Sequence, residues 1–175
     1  ENDGKALISL VPEGSEHEVV GDRKVILPSV NLEILSTRMI KLSAWKLQGL
    51  NDPFWRLYLP VEGAAILAVE HDHDRTEMLL EKGGGYVIPP HTTMHSEMTG
   101  SFSKWYVHFS LGQRGDRVTP GIYPVSMRPT MIDALKNLSD LESSAYPWAS
   151  LRLVGEALEQ LPETIWSQRH VDPRV

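Results

Sequence analysis

Apolar and polar positions alternate through the middle of this chain and change to a three- and four-residue step near its end. In Phe54-Trp55-Arg56-Leu57-Tyr58-Leu59, Trp55, Leu57 and Leu59 fall on one face and Arg56 and Tyr58 on the other, the period of a half-buried strand. Ser103 to Phe109 alternates in the same way, and Ser36 to Trp45 does so in part. Gly63 opens a strand over Ala64 to Val69, with Met78-Leu79-Leu80 as its partner across the polar run Glu70 to Arg75, which reads as a hairpin tip. Gly83-Gly84-Gly85 is a turn, Tyr86-Val87-Ile88 a short strand, and Pro89-Pro90 stops it before a loop that presents His95. Gly49 to Pro53 is a turn, Gly112 to Gly121 a loop, and Ile122 to Val125 a last strand. Many short strands at close spacing predict a barrel or sandwich.

Beyond Pro129 the period changes. Met131, Leu135, Leu138 and Leu141 recur at helical spacing, and so do Leu151, Val154, Leu158 and Leu161. Two amphipathic helices are expected, broken near Tyr146-Pro147, and Pro162 either ends the second or starts a short third one through Trp166. Leu153 and Ala157 widen the second stripe, which points to a homodimer through this helix as well as packing on the barrel.

Composition narrows the function classes. A chain of 175 residues suits one domain, and no apolar run approaches the ~20 residues of a membrane span. A cytoplasmic location is the default. Cysteine is absent, which removes disulfides, zinc-thiolate sites and thiol catalysis. Lys+Arg 17 against Asp+Glu 23 leaves a net charge of -6 and no basic face for nucleic acid in this segment.

Gly84, Pro90 and His95 sit where the second cupin motif has its glycine, proline and histidine, with Thr92 and Thr99 in place of a second glycine and an asparagine. With Trp55-Arg56-Leu57-Tyr58, the Gly63 strand, Trp105 to Phe109 and two final helices, the order resembles the N-terminal sensor domain of AraC/XylS-type transcription regulators, roughly over Arg38 to Trp166. The resemblance implies a cupin-like double-stranded β-barrel, or jelly roll, followed by two α-helices. Residues 1–126 would form the barrel with an N-terminal arm, 127–168 a helical dimerisation segment, and 169–175 the start of a linker to an absent helix-turn-helix domain that binds DNA. The barrel would bind a small effector, a sugar or small organic acid, with no cofactor and no catalysis.

Candidate ligand-binding residues are Arg56, Tyr58, His95, Trp105, His108, Trp45 and Arg38. An arginine and a tyrosine facing a cavity can bind the oxygens of an acid or sugar. Either Tyr106 and His108 face the pocket, or Trp105, Val107 and Phe109 do. His71, His73 and Glu77 have the form of the first cupin motif, a metal-ligand set for an isomerase or dioxygenase. Their register places that motif too late, because it should close at Gly63, near Leu50, Asp52 and Arg56, where no histidine stands. A metal-dependent cupin enzyme and a stand-alone sugar-binding barrel are the alternatives.

Overall fold

The computed structural model describes residues 31–71, 74–98, 100–139 and 146–166. The expected arm, the residues beyond 166, His73 and Thr99 lie outside the described residues. Among the described residues nine strands form two antiparallel sheets. Strands β1 (Glu33–Leu42), β8 (Phe102–Ser110), β3 (Trp55–Glu62), β6 (Gly84–Ile88) and β9 (Tyr123–Ser126) make sheet A in that order. Strands β2 (Leu47–Leu50), β7 (Thr93–Glu97), β4 (Ala64–His71) and β5 (Asp74–Glu81) make sheet B. Apart from the β4–β5 hairpin, successive strands β1 to β8 pass back and forth between the sheets so that β8 returns beside β1 and β7 beside β2. This interleaved order is the double Greek key of a jelly roll, with β9 added at one edge. The fold is therefore mainly β and cupin-like, with helices at its C-terminal end.

Behind sheet A lie helices α2 (Pro129–Ser139) and α3 (Tyr146–Glu159) and a 3-10 turn at Glu163–Trp166, after a four-residue helical turn α1 (Gly112–Gly115). Pro162 thus opens the short final helix, and Pro147 lies at the start of α3, where its missing N–H costs no helical bond. Among the described residues no helix is long and apolar enough to cross a membrane.

The core has two parts, set by the alternation of β3 and β8. Trp55, Leu57, Leu59, Trp105, Val107 and Phe109 point outward from sheet A and meet Met131, Ala134, Leu138, Leu153, Val154, Ala157, Leu161 and Ile165 from the helices. Trp55 stacks on Phe109 at 5.8 Å and touches Trp166 at 5.7 Å. Leu153 and Ala157 are buried in this layer, so the breadth of the α3 stripe is used within one chain. Between the sheets a second layer contains Tyr58, Leu67, Val69, Leu80, Tyr86, Ile88, Met94 and Phe102.

Two segments differ from the sequence expectation. The loop expected to present His95 is largely strand β7, whose Met94 and Ser96 are buried while Thr93, His95 and Glu97 face out. Five residues with Met94 as their one apolar side chain carry little hydrophobic pattern, and pairing with β2 and β4 is what makes them a strand. The predicted turn at Gly49 moves to Asn51–Phe54, because Leu47 and Leu50 pair with β7. Gly63 opens strand β4, as expected. Its φ is +73°, and a Cβ there would lie 2.1 Å from Ser101 O, so only glycine fits the β3–β4 corner.

Candidate ligand site on the inner face of sheet A

Strand register fixes which side chains meet. Arg38 of β1 lies opposite Tyr106 of β8, Tyr106 opposite Tyr58 of β3, and Tyr58 opposite Tyr86 of β6. One step along, Ser36, His108, Arg56 and Ile88 form the next row, and Lys104 lies opposite Ile40 and Pro60 on the other side. All of these belong to the face of sheet A that looks towards sheet B. Tyr106 and His108 are therefore inward, and the more apolar face of β8 points at the helices.

At one end Arg56 is 1% exposed and pairs through Nη2 with the Asp52 carboxylate, whose side chain is 31% exposed. Its guanidinium lies 4.6 Å from the centre of the Phe54 ring, and its Nη1 is buried without a hydrogen-bond partner. His108 packs between Phe54 (4.9 Å) and Tyr106 (4.5 Å). Burial, reinforced by the Arg56 and Lys104 charges, pushes the His108 imidazole down to about 4, so it is neutral at pH 7. Burial raises the Tyr58 phenol to about 12, and the adjacent Arg56 charge opposes that shift only in part.

At the other end Lys104 is 2% exposed and is packed among aromatic rings. Its Nζ lies 3.4 Å from the Tyr58 ring centre and 3.5 Å from that of Trp45, which itself stacks on Phe102 at 5.6 Å. Burial and then the Arg56 charge push this amine well below the usual lysine range. The two ring faces work in the opposite direction, since they favour the ammonium. Tyr58 is thus shared between the two basic side chains.

The structure separates the sequence candidates. Arg56, Tyr58, His108 and Trp45 come together in the interior, with Arg38 on the same face at the exposed edge strand β1. Trp105 does not join them. It is 7% exposed in the outer layer against the helices, one residue out of phase with Tyr106. His95 does not either, because β7 turns it to the outside of sheet B. There its Nδ1 accepts from the Gly49 N–H at 3.3 Å and its Nε2 lies 3.3 Å from Glu70. It borders an outer groove of about 500 Å³ with Ile66, Ala68, Arg75, Glu77 and Glu97, which Trp45 also borders.

His71 and Glu77 do not meet. Glu77 lies opposite Ala68 on the outer face of sheet B and accepts from Arg75 at 3.0 Å, whereas His71 falls on the alternate face at the end of β4. Among the described residues no three His, Asp or Glu side chains are grouped to hold a metal. Where the first cupin motif would place ligands, Asp52 and Arg56 neutralise each other. Sequence reasoning missed Lys104 and Phe54 and saw Asp52 only as a non-ligand. The available signal was the continuity of Trp55, Leu57 and Leu59 with Trp105, Val107 and Phe109. A face that apolar suits helices packed behind the sheet, and it sends Arg56, Tyr58, Lys104 and His108 inward together.

No protein-family model matches the chain, and no curated protein matches it. Solved structures similar to it include YhaK from Escherichia coli, at 10% identity and a TM-score of 0.44 over 54% of this chain and 43% of YhaK. ToxT from Vibrio cholerae O395, solved with (E)-4-(8-methylnaphthalen-1-yl)but-3-enoic acid bound, has 8% identity and a TM-score of 0.44 over 70% of this chain and 54% of ToxT. A deletion mutant of oxalate decarboxylase from Bacillus subtilis has 12% identity and a TM-score of 0.38 over 77% of this chain and 32% of the enzyme. The chain spans less than half of YhaK and about half of ToxT. At these scores nothing is carried over from any of them, and the fold rests on the strand order itself.

Proposed function

We propose that this chain is the effector-sensing and dimerising part of an AraC-type transcription regulator, with a small molecule, a sugar or small organic acid, bound against the inner face of sheet A. The observation that carries the reading is the polar row of buried Arg56 and Tyr58 with half-buried Tyr106 and His108, and buried Lys104 beside it. A jelly roll that needed only a core would fill this face with aliphatic side chains, because a buried cation is costly unless it is paired. The same sheet has the helices on its other face. A ligand that shifts the inner side chains is therefore one strand's thickness from the element proposed to join two subunits, a short path for coupling. Trp148 on α3 and Ile132 on α2 are 71% and 43% exposed and are the apolar residues a homodimer through these helices would cover. The role proposed is binding rather than catalysis, in the cytoplasm, with DNA contacted by a separate domain.

The deciding test is to read the coding sequence beyond Val175. The expected result is a pair of basic helix-turn-helix units within about a hundred residues. A stop codon there would overturn the regulator reading and leave the barrel as a stand-alone binder.

A further inference from the structure

Two of the contacts to Arg56 come from one short segment. Asp52 supplies a carboxylate and Phe54 a ring, both from the Asn51–Phe54 connection between β2 and β3. A carboxylate on the edge of a guanidinium and a flat apolar group on its face are the two things an arginine site takes from a small acid. The remaining Nη1 is buried without a hydrogen-bond partner, and a polar group left so is costly until something accepts from it.

The segment is held by contacts that can be exchanged. The His91 N–H donates to Asp52 O at 2.9 Å, and Asn51 Nδ2 donates to His91 O and to Thr93 Oγ1, both at 3.0 Å. His91 has a φ of +59°, a left-handed conformation that a residue with a Cβ adopts at a cost. The connection is therefore tied to a strained residue of the β6–β7 loop rather than to a sheet ladder.

We infer that Arg56 is the centre of an anion-binding site currently filled by the protein's own Asn51–Phe54 segment, and that its ligand is a small carboxylic acid that displaces Asp52 from the guanidinium. This rests on the proposed ligand-binding role of the inner face and narrows it from sugar or acid to acid. Displacement also supplies a signal, because moving Asp52 pulls on His91 and the β6–β7 loop.

The test uses acetate as the probe, with acetamide as its neutral counterpart and glucose as a neutral sugar, against the 175-residue chain. Amide resonances of the wild type are followed, so that no substitution is needed for the first readout. Acetate is expected to shift Asn51, His91 and Arg56, and acetamide to leave them in place. Asp52→Asn, which keeps size and hydrogen bonding, is expected to bind acetate about tenfold more tightly, roughly 1.4 kcal/mol. Arg56→Gln is expected to abolish binding. Equal or weaker acetate binding by Asp52→Asn overturns the displacement. Glucose shifting Tyr58 and Tyr106 while acetate shifts nothing overturns the acid assignment and keeps the interior as a ligand site. Silence of all inner-face amides with every probe overturns both this inference and the ligand-binding reading beneath it.

Discussion

The two faces of sheet A come from the same strands, residue by residue, and have been filled on opposite principles. The outer face of β3 and β8 is Trp55, Leu57, Leu59, Trp105, Val107 and Phe109, closed by helices and satisfied down to the Trp55 indole, which donates to Asp116 Oδ1 at 2.8 Å. The inner face is Arg56, Tyr58, Lys104, Tyr106 and His108, with a buried Nη1 that has no hydrogen-bond partner and a lysine set against two ring faces. The outer face stabilises the fold. The inner face holds a buried donor without an acceptor, an exception to the rule that buried polar groups are hydrogen-bonded.

The largest effect should come from the stabilising face. Trp55→Ala removes a fully buried ring and leaves Asp116 short of a donor, and it should cost about 3–5 kcal/mol in denaturant unfolding. The inner face should respond with the opposite sign. Lys104→Met keeps much of the volume and removes a buried amine whose ionisation burial disfavours, so stability should rise by about 1 kcal/mol or more. The opposing quantity is the cation–π contact with Trp45 and Tyr58, worth about 2 kcal/mol when desolvated. A fall in the unfolding midpoint of Lys104→Met would mean that this cage outweighs burial, and the contrast between the faces would then hold only for the Arg56 end.

Much of this contrast was present in the residues before any coordinates. The alternation of Trp55 to Leu59 already placed Arg56 and Tyr58 together, and the change of period after Pro129 marked the helices. What sequence could not supply was pairing. Lys104 in a strand looks like a solvated lysine until β8 is set between β1 and β3, and until Trp45 arrives from the β1–β2 connection to cover it. His95 was misplaced for a related reason. A one-residue step along a strand exchanges inside for outside, and β7 was too short and too polar to announce itself as a strand. The histidine that does face inward, His108, lies on a strand whose two faces could not be ranked from its own pattern, and the helices behind the sheet decide it.

The smallest effect sharpens the comparison at that histidine. His108 faces Arg56 and Phe54, Lys104 and Tyr106 of its own strand, Ser36 across β1, and Asp52 beyond the guanidinium. Its imidazole is held down to about 4 in the folded chain against 6.5 in the unfolded one. Between these values the unfolded chain binds the extra proton, so folding stability rises with pH and is lost as pH falls from about 6.5 towards 4. Above 6.5 both states are neutral at this position and the contribution is flat. Carboxylates titrate in the lower part of the same window, so the informative quantity is the difference between wild type and His108→Gln. The variant's unfolding midpoint should gain on the wild type steadily on going from pH 7 to pH 4, with little difference above pH 7. A difference that stays constant across that range would mean that solvent reaches the imidazole freely, and the Arg56 end of the inner face would then be an open surface instead of a buried site.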